Sequence, residues 1–470
     1  MPPDPLDRRA SRNDASVKGR ARVKRKSGSG GASDGFARIL ANTGWLLGGK
    51  GVGAVLSLAY LAIVTRTLGV ADFGRFALVL SAANVIKTLV SFDSWQIVVR
   101  YGQPHLAAGK GDALNRVLRF CILIDLGSAL AGGVIAGAII ILFGNLMELS
   151  ADMGWQAWLF CMVMMMTIRS SPMGILRLFD RFDASALAET MIPVGRMIGA
   201  GIALALMPTI TGFLIAWAAA ELLCAAVYWI LALREGGERI GRWNAGRALD
   251  ARHENPGIVG FLTATNLQTT LSSVGQQVAV LIVGLFVGPA GAGLYRLANQ
   301  LANSLTKISS LLSRSIFVEL TRTHSSHGAD ALRTLFRRTN RLALIAGAVI
   351  IALILTIGHP LLGLIAGKAF LPAYPLLLLL GVSACIDLVG VSYRPLLMAT
   401  DRASLSLRIT FVATALLLGL QAALLPIYGT IGAAAANIVA ATVGFLMMGL
   451  ASRRAVDVHA AAEQTREGGA

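Results

Sequence analysis

Six polar residues inside one long apolar stretch follow steps of three or four: Arg296, Asn299, Asn303, Lys307, Ser310 and Arg314. Those steps place all six on one face of a helix, over a rise of about 27 Å at ~1.5 Å per residue. A charged side chain in the middle of a bilayer costs ~2.5 to 3.5 kcal/mol on insertion scales, so a stripe bearing three cations cannot face lipid. It must line water or protein. Guanidinium and ammonium groups bind anions, and amides beside them hydrogen-bond hydroxyls. A shorter stripe, Asn84, Lys87 and Ser91, and a third, Asn266, Thr270, Ser273 and Gln277, obey the same spacing.

Other ionisable residues fall within apolar stretches. Lys50 sits in the segment GGKGVG, whose glycines either let helices pack closely or mark a bend lining a cavity. Gly44, Gly49 and Lys50 match most of a phosphate-loop spacing, but Gly51 stands where the Ser or Thr should be and no strand precedes it. Arg196 and Glu221 fall at similar depth and can pair, with Asp125 as another partner; Ser383, Asp387 and Arg394 share a face. Asp125, Glu221 and Asp387 are therefore candidates either for ion coupling or for ion pairing, and Arg296 and Arg314, near helix ends, can snorkel instead of binding a ligand. Cations outnumber acids inside these stretches, which favours an anionic ligand. The six histidines fall in loops, the tail or near a helix end, and no hydrolytic or transferase constellation emerges, so transport is favoured over catalysis and no cofactor is implied.

The elements that must carry these residues are membrane helices. The chain is 55% hydrophobic and 14% charged, with a mean hydropathy of +0.67, outside the range of soluble domains. Its net charge of +17 lies in a tail and in short loops, the pattern of membrane orientation and not of a nucleic-acid surface. Cys121, Cys161, Cys224 and Cys385 lie singly in apolar segments, without metal spacing. Residues 1–36 are a polar basic tail predicted to be disordered and to lie against anionic lipid. About twelve apolar spans follow, each roughly 20 residues or more, the length that crosses a ~30 Å core. The second is expected at 74–96 and the fourth at 155–175. Arginines and lysines concentrate in alternate loops, predicting both termini on the cytoplasmic side. The stretches Leu68 to Lys87 and Val287 to Thr306 match at Gly69/Gly288, Ala71/Ala290, Gly74/Gly293, Phe76/Tyr295, Ala83/Ala302 and Asn84/Asn303. The expected fold is thus an all-α polytopic membrane protein of two six-helix bundles, 37–233 and 258–452, related by a parallel repeat. Residues 234–257 form a cytoplasmic linker and 453–470 a cytoplasmic tail.

The segments RTLGVADFGRFALV, FVGPAGAGLYRLANQL and GKAFLPAYPLLLLLG resemble recurring turns of polysaccharide and O-antigen flippases of the Wzx type, in the superfamily that also holds MATE exporters. The resemblance covers roughly residues 38–452. It implies two bundles open alternately to either side of the cell inner membrane, and a cargo of undecaprenyl-diphosphate-linked oligosaccharide for surface polysaccharide assembly, with polysaccharide-assembly proteins as partners. Lys50, Lys87, Arg196 and Lys307 would then attract the diphosphate, with Arg296 and Arg314 on the same cationic surfaces, while Asn299, Asn303 and the serines beside them meet sugar hydroxyls. A MATE-type cation antiporter, a peptidoglycan-precursor flippase and an integral glycosyltransferase or polymerase remain alternatives; the cationic residues Lys50, Lys87 and Arg196 oppose the first.

Overall fold

The computed structural model describes the backbone of residues 32–143, 151–240, 246–324, 329–394, 397 and 403–467; side chains of 1–51, 306–339, 455–470 and some shorter stretches lie outside the description. Met1–Gly48 and Gly49–Ala470 form two separate units, and all that follows concerns the second. Every regular element described is helical: α1 (Ala32–Val90), α2 (Ser94–Ala107), α3 (Gly111–Phe143), α4 (Ala151–Met166), α5 (Ser170–Leu178), α6 (Phe182–Leu206), α7 (Ile210–Gly236), α8 (Asp250–Glu254), α9 (Ile258–His324), α10 (Ala329–Ala366), α11 (Tyr374–Val389) and α12 (Ala403–Glu467), with short 3-10 turns between some of them. Among the described residues nine stretches are long and apolar enough to cross a membrane.

Three helices far exceed a bilayer's thickness: α1 has 59 residues, α9 has 67 and α12 has 65. Each is two helices joined at a glycine, Gly69 (φ 72°), Gly288 (φ 84°) or Gly429 (φ 56°), in the left-handed region that a Cβ disfavours. Gly69 and Gly288, matched in sequence, share nearly the same conformation, with ψ −176° and 179°. The turns they open lie against each other. A Cβ on Gly74 would stand 1.8 Å from the carbonyl oxygen of Pro289, and one on Gly293 would stand 2.9 Å from that of Val70. Beside this crossing Arg66 donates to the carbonyls of Leu364 and Ile365 at 2.5 and 3.3 Å, closing the C-terminal end of α10, and Phe73 meets Phe370 edge-on at 5.7 Å.

Two spans expected as unbroken helices are interrupted. The span at 74–96 stops at Val90 and restarts at Ser94, and the span at 155–175 stops at Met166 and restarts at Ser170. Long apolar runs flank both breaks, Ser91–Asp93 and Thr167–Arg169, and two polar residues in each do not interrupt the span as read by periodicity. The restarts carry the local cause: Pro172 is tolerated in a first helical turn but not deeper, and Ser94, Ser170 and Ser171 supply hydroxyls for freed groups. With little water at that depth, those groups must find partners within the protein. Trp95 N–H donates to Ser170 Oγ at 3.0 Å, and Ser94 and Ser171 both donate to Asp125 Oδ2, at 2.9 and 2.5 Å.

One buried cluster, including Phe76, Phe213, Tyr295 and Phe370, runs through both halves of the chain. A second, around Leu114, Ile175, Tyr228 and Ile258, lies beneath the segment joining them. From residue 246 on, that segment is tied to the first half: Arg119 donates to Gly246 O (3.0 Å), Arg116 pairs with Glu254 (2.7 Å) and His105 bonds Asn255 (3.0 Å). Gly257, with φ 85°, turns the chain into α9, whose first residues Ile258 and Leu262 still pack in that second cluster.

Candidate functional site

Span lengths, helix breaks and glycine turns bring the polar residues to two neighbouring cavities. The smaller, about 40 Å³, is lined by Tyr60, Phe76, Arg196, Trp217, Arg296 and Gln300, among others. Arg196 comes from α6 in the first half and Arg296 from α9 in the second. Arg196 donates to Glu221 Oε1 at 2.7 Å, and its guanidinium carbon lies 3.4 Å from the centroid of the Trp217 ring. The other carboxylate oxygen of Glu221 faces Arg169 Nη2 at 3.1 Å. One carboxylate thus holds two guanidinium groups and leaves the trio positive. Arg296 donates to Gln277 Oε1 at 3.1 Å, a neutral partner that orients the charge without cancelling it.

Polar atoms left over at this cavity point to a ligand. Tyr60 Oη, Trp217 Nε1 and Arg196 Nε are buried without a hydrogen-bond partner, and Tyr60 is only 6% exposed. All three can donate, and buried donors left unpaired cost about 1 to 3 kcal/mol each. Unpartnered donors and two guanidinium groups at one cavity are the chemistry that receives an oxyanion. Tyr60→Phe separates the two roles of this hydroxyl: removing a merely unpaired group leaves thermal stability unchanged or slightly raised, whereas loss of an anion donor lowers substrate transfer about fivefold. Melting curves and transfer assays on one preparation check both.

The larger cavity, about 520 Å³, contains both helix breaks; Lys87, Asp93, Trp95, Asp125, Arg169 and Glu189 are on its wall. Lys87 Nζ donates to Thr167 Oγ1 at 2.9 Å, bridging the two interrupted spans. Among the described residues Asp125 pairs with no cation. Its partners are the hydroxyls of Ser94 and Ser171. Broken helices that border a cavity at membrane depth are a recurrent site for charged ligands.

Of the residues singled out from sequence, Arg196 and Arg296 share the small cavity, Lys87 and Asp125 share the large one, and Glu221 ties Arg196 to Arg169. Asn303 Nδ2 donates to Asn299 Oδ1 at 2.9 Å and neither residue lines a cavity named above. Asp387 is exposed and stands apart from both cavities, while Arg394, on its face, bonds Thr410. The side chains of Lys50, Lys307, Arg314, Ser310 and Ser273 lie outside the described residues. The sequence reading missed Arg169, Tyr60 and Trp217. For Arg169 a signal was present: a cation inside an apolar stretch and directly before Ser-Ser-Pro.

Cations from two halves meeting at one cavity, beside a second cavity bordered by interrupted membrane helices, in a chain whose described elements are all helical, define a polytopic membrane protein with the build of a carrier. The chain belongs to the family described as polysaccharide biosynthesis protein, whose profile matches residues 39–317. It is 29% identical over 354 residues to the inner membrane protein YghQ of Escherichia coli (strain K12), covering 74% of this chain and 97% of YghQ. Its fold is that of the MOP-superfamily transporters. The structure is similar to that of the lipid II flippase MurJ in an inward closed conformation, with a TM-score of 0.69 at 14% identity over 87% of each chain. It is similar as well to an inward-facing multidrug resistance MATE family transporter, with a TM-score of 0.67 at 14% identity over 86% of this chain and 95% of the other.

Proposed function

We propose that the protein is a flippase of the cell inner membrane that carries undecaprenyl-diphosphate-linked oligosaccharide from the cytoplasmic to the outer leaflet for surface polysaccharide synthesis. The observation that carries this reading is the pairing of Arg196 and Arg296 from opposite halves at one cavity with unpartnered donors. At about 40 Å³ that cavity has room for a few waters, and hence for a phosphoryl group and not a sugar chain. The adjoining space of about 520 Å³ offers hydroxyls, carboxylates and Trp95 to saccharide. Family membership supports a polysaccharide precursor as cargo, and the likeness of fold to MurJ is consistent with a lipid-borne one. The lipid tail stays in the bilayer, outside the helices.

Both termini and the segment joining the halves are placed on the cytoplasmic side, with the basic tail on anionic lipid. A membrane potential negative inside favours outward movement of an anion by about 2.3 kcal/mol per charge per 100 mV. The test compares leaflet transfer of undecaprenyl-diphosphate oligosaccharide with uptake of a cationic dye in proteoliposomes. Parent protein should transfer the sugar lipid and leave the dye, and Arg296→Ala and Lys307→Ala should each slow transfer tenfold or more, the weight of about 1.4 kcal/mol or more from one charge-assisted contact. Dye uptake without sugar-lipid transfer would replace this reading with that of a cation antiporter.

A further inference from the structure

The break in the second span exposes backbone carbonyls at its end, and two of them are taken up by the other half of the chain. Asn266 Nδ2 donates to Ser91 O at 3.2 Å, and Thr270 Oγ1 stands 3.0 Å from Thr88 O. Both side chains belong to α9, one turn apart. An unbroken helix would have spent those carbonyls on its own amides, so the interruption itself creates the acceptors.

Thr270 has a second choice. Its hydroxyl, with a single proton to give, also stands 2.7 Å (Oγ1) from Asn266 Oδ1, within its own helix. With the halves together it can donate to Thr88 O, and with the halves apart it donates to Asn266, so parting frees only the exposed Asn266 amide, which turns to water. The freed Ser91 is on the wall of the large cavity, where its carbonyl meets water. The two arrangements differ by a single hydrogen bond between protein groups, a small enough gap for a reversible closure. The pair sits next to the cavity's ligand-facing cation, since Lys87 immediately precedes Thr88 and bridges to Thr167.

We propose that Asn266 and Thr270 form a latch that holds α9 against the broken second span and closes the large cavity toward the end of the molecule where residues 246–257 lie. Movement of Lys87 toward an anion draws the helix end carrying Thr88 with it and opens the latch. The crossing of the Gly69 and Gly288 turns, at the opposite end of these helices, is untouched by it.

The test needs no substrate, so it stands apart from the identity of the cargo. Ile192, on the cavity wall, is replaced by cysteine in a chain whose four native cysteines are buried. Labelling by a membrane-impermeant maleimide is then timed from each side of oriented vesicles. Adding Thr270→Val with Asn266→Ala should speed labelling about fivefold from the side bearing residues 246–257 alone, the weight of the one hydrogen bond by which the closed arrangement exceeds the open. Thr270→Ser, which keeps the hydroxyl, should label like the parent. Unchanged labelling, an equal rise from both sides, or a Thr270→Ser protein as fast as the valine variant would each overturn the latch.

Discussion

Gly74→Ala should be among the most damaging single-methyl changes in this protein. The added carbon would meet a backbone oxygen, Pro289 O, at 1.8 Å, and backbone cannot rotate aside as a side chain can. Overpacking of this kind costs about 1 to 3 kcal/mol or more, and here the cost falls on one arrangement only, the one in which the two turns cross. The crossed state should therefore lose population by about 5- to 150-fold. A cysteine placed near the crossing should become reactive from the side opposite residues 246–257, and transfer should fall accordingly. Gly69→Ala provides the contrast. Nothing stands within 4 Å of its Cβ, so its penalty comes from the backbone alone, φ 72° with ψ −176°, about 1 to 3 kcal/mol in a region nearly reserved for glycine. A Gly74→Ala protein with unaltered reactivity and transfer would show that the turns need not meet in the working cycle.

Glu221→Gln should lower stability by about 3 to 5 kcal/mol, the usual result of removing one partner from a buried ionic group. The side chain of Glu221 is 4% exposed and holds Arg196 at 2.7 Å and Arg169 at 3.1 Å. Without its charge two guanidinium groups face each other in a low-dielectric interior. The variant should aggregate at a clearly lower temperature when heated in detergent, and glutamine's remaining hydrogen bond should restore little of the loss. This outcome also separates two roles for the residue. A Glu221→Gln protein as stable as the parent, whose transfer no longer responds to an imposed proton gradient, would make Glu221 a coupling group and not the holder of the two arginines.

The sequence made some of this geometry legible because it depends on local spacing. Arg296 and Gln277 were visible as members of polar stripes, and the polar face of Asn266 and Thr270 is now explained by the carbonyls it meets. The pairing of Arg196 with Glu221 could be anticipated from their similar depth in adjacent spans. The breaks at 91–93 and 167–169 could not, since burial of Ser94 and Ser171 against Asp125 decides them and that contact is remote in sequence. Tyr60 and Trp217 were hidden for another reason. An aromatic residue in an apolar span is ordinary, and only its unpaired polar atom in the folded chain sets it apart. Spacing alone drew the cationic surface as a continuous face of one helix. In the fold, of the residues on that face whose side chains are described, only Arg296 reaches the small cavity; Asn299 and Asn303 bond each other.

The anchoring of residues 246–256 gives the joint between the halves an unexpected economy of motion. A segment of that length, if loose, would let two bundles drift through many relative poses and would make each return a search. Held by Arg116, Arg119 and His105, it travels with the first half as part of that body. The first turns of α9 stay with it as well, since Ile258 and Leu262 pack in the same buried cluster and Phe261 meets Tyr101 edge-on at 6.1 Å. The joint between the halves is thus a packed seam and not a loose strap, which leaves few relative poses to search.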